Sequence, residues 1–295
     1  MLYQDRFVYP FNAWDIERKY YKRSARALRP AAVVTYVDGM RAVRQSEYRF
    51  GKSKLVQQVI LEADSDTVRF ETRADWHETF KMLRADFLPR DYGDTARCEI
   101  QFGSIERATT EKNSVEAAQF EVCAHKYVAV QGGEGGFALL NDCKYGHRVK
   151  NGLISLNLLR SPVFPDPKAD KGEHAFTYAF CPFEKDDFLK PVREGYRLNN
   201  PLRVAERSET ESLVSCDDEG VVIETVKRAE DGQGVVLRLY EALGKNADVR
   251  VSTTSAYEAA YLTDMLEGNP QKCSLDALSF TPYEVKTILL RGGTL

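Results

Sequence analysis

Short runs of apolar and β-branched residues, separated by turn residues, recur along nearly the whole of this sequence. The alternation of a half-buried strand is clearest where Val235, Leu237 and Leu239 are interrupted by Arg238 and Tyr240. The stretch VVIETVKRAEDGQGVVLRLYE predicts a hairpin that turns at Asp231–Gly234. Other strand-like runs are Ala31–Val37, KLVQQVIL, TVRFET, ARCEIQFGSIER, GLISLNLL, DVRVST and EVKTILL. Strands at this spacing favour an all-β fold of sandwich type over βαβ units.

Three segments also carry helical spacing, and their residues alone leave both helix and strand open. Trp76, Phe80 and Leu83 fall at i, i+4 and i+7. The segments Ile16–Arg23 and Tyr257–Leu266 follow the same period less cleanly.

Composition excludes several classes of function. A net charge of −3 over 295 residues gives no basic field for nucleic acid. No apolar run approaches the length of a membrane span, and the first 21 residues lack the pattern of a signal peptide. The six cysteines occur singly, without a C-x-x-C pair, which argues against a structural zinc or a redox dithiol. We therefore expect reduced, mostly buried thiols in a cytoplasmic protein.

A domain boundary is predicted within PVREGYRLNNPLRVAERSET, which is rich in proline, asparagine and charge and poor in periodicity. It separates residues 1–200 from residues 201–295. The second part is rich in predicted hairpins and has the size of a small β-sandwich.

The densest polar chemistry lies between residues 137 and 178. His147, Asp170 and His174 suggest a metal site, but Gly172 lies inside the Asp170–His174 spacing and prolines precede it, so a polar loop is favoured. The glycine-rich QGGEGGF lacks the Lys-Ser/Thr of a phosphate-binding loop and is predicted to be a turn between strands. With 44 acidic residues in the chain, no pair of carboxylates can be singled out as catalytic.

Aromatic rings beside amide, carboxylate and guanidinium groups suit sugar recognition, because a pyranose has an apolar face for stacking and hydroxyls that need fixed partners. Core aromatics with one polar edge are the alternative interpretation. The residues with this character are Trp14, Asp15, Asn141, Asp142, Tyr145 and Arg160.

Seven blocks stand out along the chain, in the order FNAWDIERKYY, VRFETRADWHETFKMLRADF, EIQFGSIERAT, GFALLNDCKYGH, LNLLRSPVFPDPKADKGEHAFTYAF, VVLRLYEALG and LSFTPYEVKTILL. Together, in this order, they resemble the C-terminal β region of glycoside hydrolase family 38, the α-mannosidases, of the bacterial and cytosolic type. The sequence departs from the family where Tyr127 and Ala129 stand in place of a common Trp and Asp, and where Arg84 replaces the more usual Lys.

This resemblance implies a galactose-mutarotase-like supersandwich over residues 1–200, followed by a smaller β-sandwich over residues 201–295. Strands are then expected instead of a helix at Trp76–Leu83. Family members carry their zinc ligands, nucleophile and acid/base carboxylate in N-terminal domains, whose motifs do not occur here. The chain is accordingly expected to be a piece of a longer protein, with no catalytic residue, metal ligand or cofactor of its own and with zinc in the missing catalytic domain.

The resemblance further implies the non-catalytic part of a zinc-dependent, retaining α-mannosidase. Its partners would be its own N-terminal catalytic domain and an α-mannoside, with no nucleic acid or membrane, and it could self-associate through an exposed patch near Trp14 and Tyr145. The alternatives are a carbohydrate-binding module and a mutarotase or epimerase that uses His147 or His174 as general acid/base. The fork of Arg160 suits two sugar oxygens. The expected pocket wall comprises Trp14, Asp15, Asn141, Asp142, Tyr145, Arg160 and His174.

Overall fold

The computed structural model describes residues 1–5, 12–23, 25–203 and 212–293. The chain divides into two compact units, one of Met1–Glu99 with Glu106–Pro201 and one of Ile100–Ile105 with Leu202–Leu295. The second unit thus takes in six residues from within the stretch predicted as the first domain. The regular elements of both units are mostly strands, which confirms the predicted all-β class.

Strands of the first unit form two antiparallel sheets. One sheet has the order β2-β3-β4-β5-β14-β11-β10-β7-β8, and the other has the order β1-β6-β13-β12-β9. The strands are β1 Leu2–Gln4, β2 Ala32–Asp38, β3 Arg41–Phe50, β4 Ser53–Glu62, β5 Val68–Trp76, β6 Lys81–Phe87, β7 Thr95–Ile100, β8 Gly103–Ala108, β9 Val122–Cys123, β10 Tyr127–Gln131, β11 Gly135–Asn141, β12 Gly146–Lys150, β13 Leu153–Arg160 and β14 Gly172–Glu184.

The two sheets of the first unit share one hydrophobic core. Trp76 and Leu139 come from the larger sheet, Leu83 and Leu156 from the smaller, and all four side chains are buried there. The indole of Trp76 donates to the hydroxyl of Ser161 at 2.8 Å, which satisfies its one polar atom. The core therefore lies between two facing sheets, as the alternating sequence pattern requires.

Helices in the described residues of the first unit are short. They are the 3₁₀ turn Tyr20–Lys22, α1 Ser114–Ala118 and α2 Leu189–Asn199. The α1 helix begins after Asn113, whose side chain accepts the amide of Glu116 at 2.9 Å. The α2 helix packs on β10, β11 and β14, and its residues 191–199 begin the stretch that was predicted to be poor in periodicity.

The second unit has its own core, formed around a five-stranded antiparallel sheet of order β16-β17-β23-β20-β21. The two-stranded sheets β15-β19 and β18-β22 complete it. Its strands are β15 Val214–Cys216, β16 Val221–Arg228, β17 Gly234–Glu241, β18 Ala247–Val249, β19 Val251–Thr253, β20 Ala259–Thr263, β21 Gln271–Cys273, β22 Leu278–Phe280 and β23 Val285–Arg291. The predicted hairpin is confirmed, since β16 pairs with β17 across residues 229–233.

The three segments with helical spacing do not form helices of that extent. Trp76 ends β5, Phe80 lies in a turn with a φ of 54°, and Leu83 lies on β6. Between Ile16 and Arg23 the backbone makes one 3₁₀ turn, and Tyr257–Leu266 contains β20. The apolar period at Trp76 and Leu83 arises because both point into the same core from neighbouring strand segments.

The cysteines correct one expectation. All six are free, but only Cys98 and Cys181 are buried. Cys123 and Cys143 are exposed, and the other two are half-buried.

Within the described ranges, no helix is long and apolar enough to cross a membrane.

Candidate functional site

The turn between β11 and β12 holds three of the predicted wall residues, and Asn141 fixes its shape. The Asn141 side chain is fully buried; its amide nitrogen donates to the carbonyl of His125 at 2.6 Å, and its oxygen accepts the backbone N–H of Lys144 at 2.7 Å. An asparagine that bonds to backbone three residues ahead is a turn-forming arrangement. Asn141 therefore fixes the backbone of the turn from its buried side.

Asp142 ties the same turn to β14 and faces a cleft. One carboxylate oxygen accepts the backbone N–H of Thr177 at 2.9 Å. The other oxygen is buried, with no hydrogen-bonding nitrogen or oxygen around it in the described residues. The Asp142 carboxylate lies beside the Cys143 thiol, whose pKa is raised to about 11 by partial burial of the sulfur and by this carboxylate. Asp142 and Thr177 line an open cleft of about 910 Å³, and no aromatic side chain is among the described residues of its lining.

Tyr145 projects from this turn into solvent. Its side chain is 47% exposed, and its ring stands edge-on to the ring of His125 with 5.1 Å between centroids. Its carbonyl accepts the N–H of Ala124 at 3.1 Å and lies 3.1 Å from Nδ1 of His147. An exposed ring on a rigid backbone suits stacking against an apolar sugar face.

His125 and Glu99 belong to this site although the sequence did not single them out. Glu99 is buried, and its carboxylate accepts the backbone N–H of Lys126 at 2.8 Å and its ammonium at 3.0 Å. The Nδ1 atom of His125 lies 3.9 Å from the same carboxylate. The hairpin of β10 and β11 brings His125 opposite the Asn141–Tyr145 turn. Pairing the two strands residue by residue, starting from the glycine-rich turn between them, would therefore have identified His125 from the sequence.

Trp14, Asp15 and Arg160 form a second group. The Arg160 guanidinium is paired with the buried carboxylate of Asp5 and also donates to the backbone carbonyl of Asp15. Its fork is thus already engaged within the protein. A direct bond from Arg160 to sugar oxygens stays a prediction.

Trp14 is 68% exposed, and its ring lies 6.3 Å from that of Phe164, which is also exposed. The two are brought together by Asn12, whose side chain accepts the N–H groups of Val163 and Phe164 at 3.1 and 3.0 Å. The result is a second solvent-facing aromatic pair held by a buried amide.

The buried charge of Arg84 holds residues 12–23 in place. Arg84 is almost fully buried; it donates to the Ser155 hydroxyl at 2.7 Å, pairs with Glu121 at 3.2 Å and lies 5.3 Å from the ring centroid of Tyr20. The Tyr20 hydroxyl donates to Glu121 as well. Residues 12–23 are therefore fastened at Tyr20, six residues beyond Trp14.

His174 lies apart from both groups in the contacts it makes. It sits on β14 opposite Ala74, and its Nε2 is 2.9 Å from the carbonyl of Asp170. His147 points into the core instead, where burial lowers its pKa to about 4. Across residues 1–5, 12–23, 25–203 and 212–293, no three His, Cys, Asp or Glu side chains converge as a metal site would need.

Comparison with known proteins agrees with the fold. Residues 1–168 match the family described as glycosyl hydrolases family 38 C-terminal domain, and residues 220–288 match the glycosyl hydrolases family 38 C-terminal beta sandwich domain. An α-mannosidase structure from Enterococcus faecalis V583 superposes with a TM-score of 0.75 over 88% of this chain and 35% of that one, at 16% identity. At that identity the likeness concerns the fold.

Curated relatives show the family at the level of sequence. The chain is 38% identical over 254 residues to mouse alpha-mannosidase 2C1, a match that covers 81% of this chain and 24% of the relative. It is 32% identical over 298 residues to alpha-mannosidase G of Dictyostelium discoideum, covering 94% of this chain and 27% of that protein. The chain thus spans about a quarter of the length of these relatives. It belongs to glycoside hydrolase family 38, of which it comprises the C-terminal domain and C-terminal β-sandwich.

Proposed function

We propose that this chain is the non-catalytic C-terminal part of a zinc-dependent, retaining α-mannosidase that hydrolyses terminal α-mannosyl linkages. The relatives that it matches over most of its length are named alpha-mannosidases, and each is about four times longer than the match. The described residues do not fit a zinc site, because their His, Cys, Asp and Glu side chains do not converge. Zinc and the catalytic carboxylates are therefore assigned to an N-terminal catalytic domain on which this chain packs.

The role proposed for the chain is to complete the wall of the sugar pocket. The observation that carries this role is the exposed ring of Tyr145 on a turn that Asn141 and Asp142 lock from below. A rigid ring loses little conformational entropy when a sugar stacks on it. It also keeps water from that face of the sugar, which strengthens the polar contacts made by the catalytic domain. Trp14 and Asp15 extend the wall, while Arg160 and His174 are assigned to its rim.

Two other functions receive less support from the geometry. The mutarotase or epimerase alternative depends on His147 or His174 as general acid/base, but His147 is enclosed in the core with a lowered pKa and His174 is engaged by a backbone carbonyl. An independent carbohydrate-binding module would need an aromatic-lined groove beside its binding residues, and the described lining of the cleft at Asp142 has no aromatic side chain. Six free thiols fit the reducing cytoplasm, where we place the protein.

The test is hydrolysis of an aryl α-mannoside by this chain and by the longer protein that contains it. We expect no turnover by the chain alone, with or without added zinc, and chelator-sensitive turnover by the longer protein. Zinc-dependent hydrolysis by the purified chain would overturn the proposal. Inactivity of the longer protein on every α-mannoside tried would overturn the assigned substrate class.

A further inference from the structure

The strand β2 is an uncovered edge of the larger sheet. All seven of its residues, Ala32–Asp38, are exposed, which means that neither face of the strand is covered. In the part of the chain that the structure describes, β3 is the one strand that pairs with it. Val34 and Val37 are 56% and 77% exposed, and Val33 and Tyr36 are exposed as well.

The backbone of β2 offers an ordered set of hydrogen-bonding groups that no strand in the described ranges pairs. Asp38 pairs with Arg41 across the two-residue turn Gly39–Met40, and residues that flank such a turn exchange both backbone bonds. The direction of the backbone groups alternates along an antiparallel strand. Val33, Thr35 and Val37 therefore direct their N–H and C=O groups toward the open edge.

The sequence of β2 is complementary to itself when the strand is reversed. If two copies pair antiparallel about a twofold axis at Thr35, Val33 lies opposite Val37 of the second copy, and Val34 lies opposite Tyr36 of the second copy. Each pair is apolar, and its two members lie on the same face of the joined sheet. Residues 33–37 carry no charge, so the axis brings no like charges together.

The edge also lacks the features that keep strands apart. Sheet edges in soluble proteins are commonly blunted by lysine, proline or an inward charge, but none occurs within residues 33–37. Val33, Thr35 and Val37 would instead exchange backbone bonds with the second copy in the register that pairs the apolar side chains. The backbone register and the side-chain register thus require the same axis.

We propose that β2 is a self-association edge, through which two copies of this chain join their large sheets antiparallel about Thr35. This inference goes beyond the proposed enzymatic role and does not depend on it. A single strand pair buries less than the roughly 800 Å² per partner of a standard stable interface. The dimer is accordingly expected to dissociate in the micromolar range.

Sedimentation velocity of the full chain over a wide concentration range tests the association. We expect a monomer–dimer equilibrium in the parent. In Val37→Lys the dissociation constant of the dimer should be at least tenfold higher, because pairing would place two lysines at the joined edge. Leu88→Lys is the matched control, because Leu88 is also 77% exposed but lies outside β2. Thermal unfolding of each variant verifies that the monomer is intact.

A disulfide trap tests the register. The double variant Val34→Cys with Tyr36→Cys should form a covalent dimer under mild oxidation, because the two positions face each other in a non-hydrogen-bonded pair. Val33→Cys with Tyr36→Cys places the thiols on opposite faces and should not. The parent chain, oxidised in parallel, reports any cross-link through exposed Cys123 and Cys143.

A chain that stays monomeric at every concentration overturns the proposal. So does a dimer that Val37→Lys leaves unchanged, or one that cross-links equally through both double variants. Binding of an unrelated extended peptide to β2 in a monomeric chain would assign the edge to a different partner and would likewise overturn self-association.

Discussion

The ring of His125 stands edge-on to the ring of Tyr145, with 5.1 Å between their centroids, and the Nδ1 atom of His125 lies 3.9 Å from the carboxylate of Glu99. The exposed tyrosine is thus backed by a histidine that is itself next to a buried carboxylate. The pair explains how a solvent-facing ring on a turn can hold one orientation.

The first prediction concerns this pair in the longer enzyme. Tyr145→Ala should raise KM for an aryl α-mannoside by up to about tenfold, because aromatic contacts of this kind contribute about 0.5–1.5 kcal/mol beyond area burial. His125→Ala should give a smaller rise by freeing the Tyr145 ring. Tyr257→Ala, at a ring 40% exposed in the second unit, is the control. Unchanged KM and kcat in Tyr145→Ala would remove this residue from the wall.

The second prediction concerns acid stability and His147. Burial lowers the pKa of His147 from 6.5 to about 4 in the folded state. The neutral side chain therefore makes its full contribution to the free energy of unfolding above pH 6.5. As pH falls from 6.5 toward 4, the unfolded chain gains a proton that the folded chain does not, and the loss should reach about 3 kcal/mol near pH 4.

Urea unfolding at pH 7 and pH 4.5 measures that loss. The difference between the two pH values should be smaller in His147→Gln than in the parent, whereas His77→Gln, at an exposed position, should behave as the parent does. An equal pH dependence in the parent and His147→Gln would contradict the prediction.

The third prediction concerns Arg84, the buried arginine that bonds to Ser155 and Glu121. Arg84→Lys should destabilise the chain by about 2 kcal/mol, because an ammonium cannot reproduce the fork that reaches Ser155 and Glu121 together. Arg84→Met should cost about 3–5 kcal/mol, since Glu121 then loses its cation. Urea midpoints measure both, and Arg49→Lys, at a side chain 69% exposed, should change nothing. A stable Arg84→Lys would show that the fork is not needed.

The fourth prediction concerns the second unit, where Glu241 organises a turn. Its buried carboxylate accepts the backbone N–H groups of Leu243 at 2.8 Å, Gly244 at 2.7 Å, Lys245 at 3.0 Å and Tyr283 at 3.0 Å. Glu241→Gln replaces one acceptor oxygen by a donor.

We expect that replacement to lower the free energy of unfolding by about 2–3 kcal/mol, because at least one buried N–H is left without an acceptor. Chemical denaturation followed by circular dichroism measures the change. Glu258→Gln, at an exposed side chain of the same unit, is the matched control. If both variants unfold at the same denaturant concentration as the parent, the turn does not depend on the carboxylate.

Many strand positions could be predicted because alternation is a local signal. The runs at Ala31–Val37 and Val235–Leu239 are strands, and the Asp231–Gly234 turn joins β16 to β17. The α2 helix could not be recognised in the same way. Phe188 at its N-cap position supplies no side-chain cap, and the Asp187 carboxylate accepts the backbone N–H of Lys190 at 3.3 Å instead. The buried residues of α2 include Pro191 and Gly195, so its apolar stripe is narrow.

The exposure of the two predicted wall aromatics could be predicted from the sequence, but the contacts of the candidate site could not. Tyr145 and Trp14 are exposed aromatics next to polar turns, as their surroundings in the sequence indicated. Which polar groups stay available is decided by distant partners. The fork of Arg160 is engaged by Asp5, 155 positions away, and the carboxylate of Glu99 reaches Lys126; no local pattern encodes either pairing.

The two tryptophans of the chain lie at opposite extremes of exposure. Trp76 is fully enclosed between the sheets and bonded to Ser161, whereas Trp14 is 68% exposed beside Phe164. The intrinsic fluorescence of the protein should therefore contain two separable emissions, a blue-shifted one that collisional quenchers cannot reach and a red-shifted one that they can. The Trp76 emission reports whether the sandwich is folded, and the Trp14 emission reports whether a ligand binds at the proposed wall. The unlabelled chain therefore carries one optical probe for folding and one for binding.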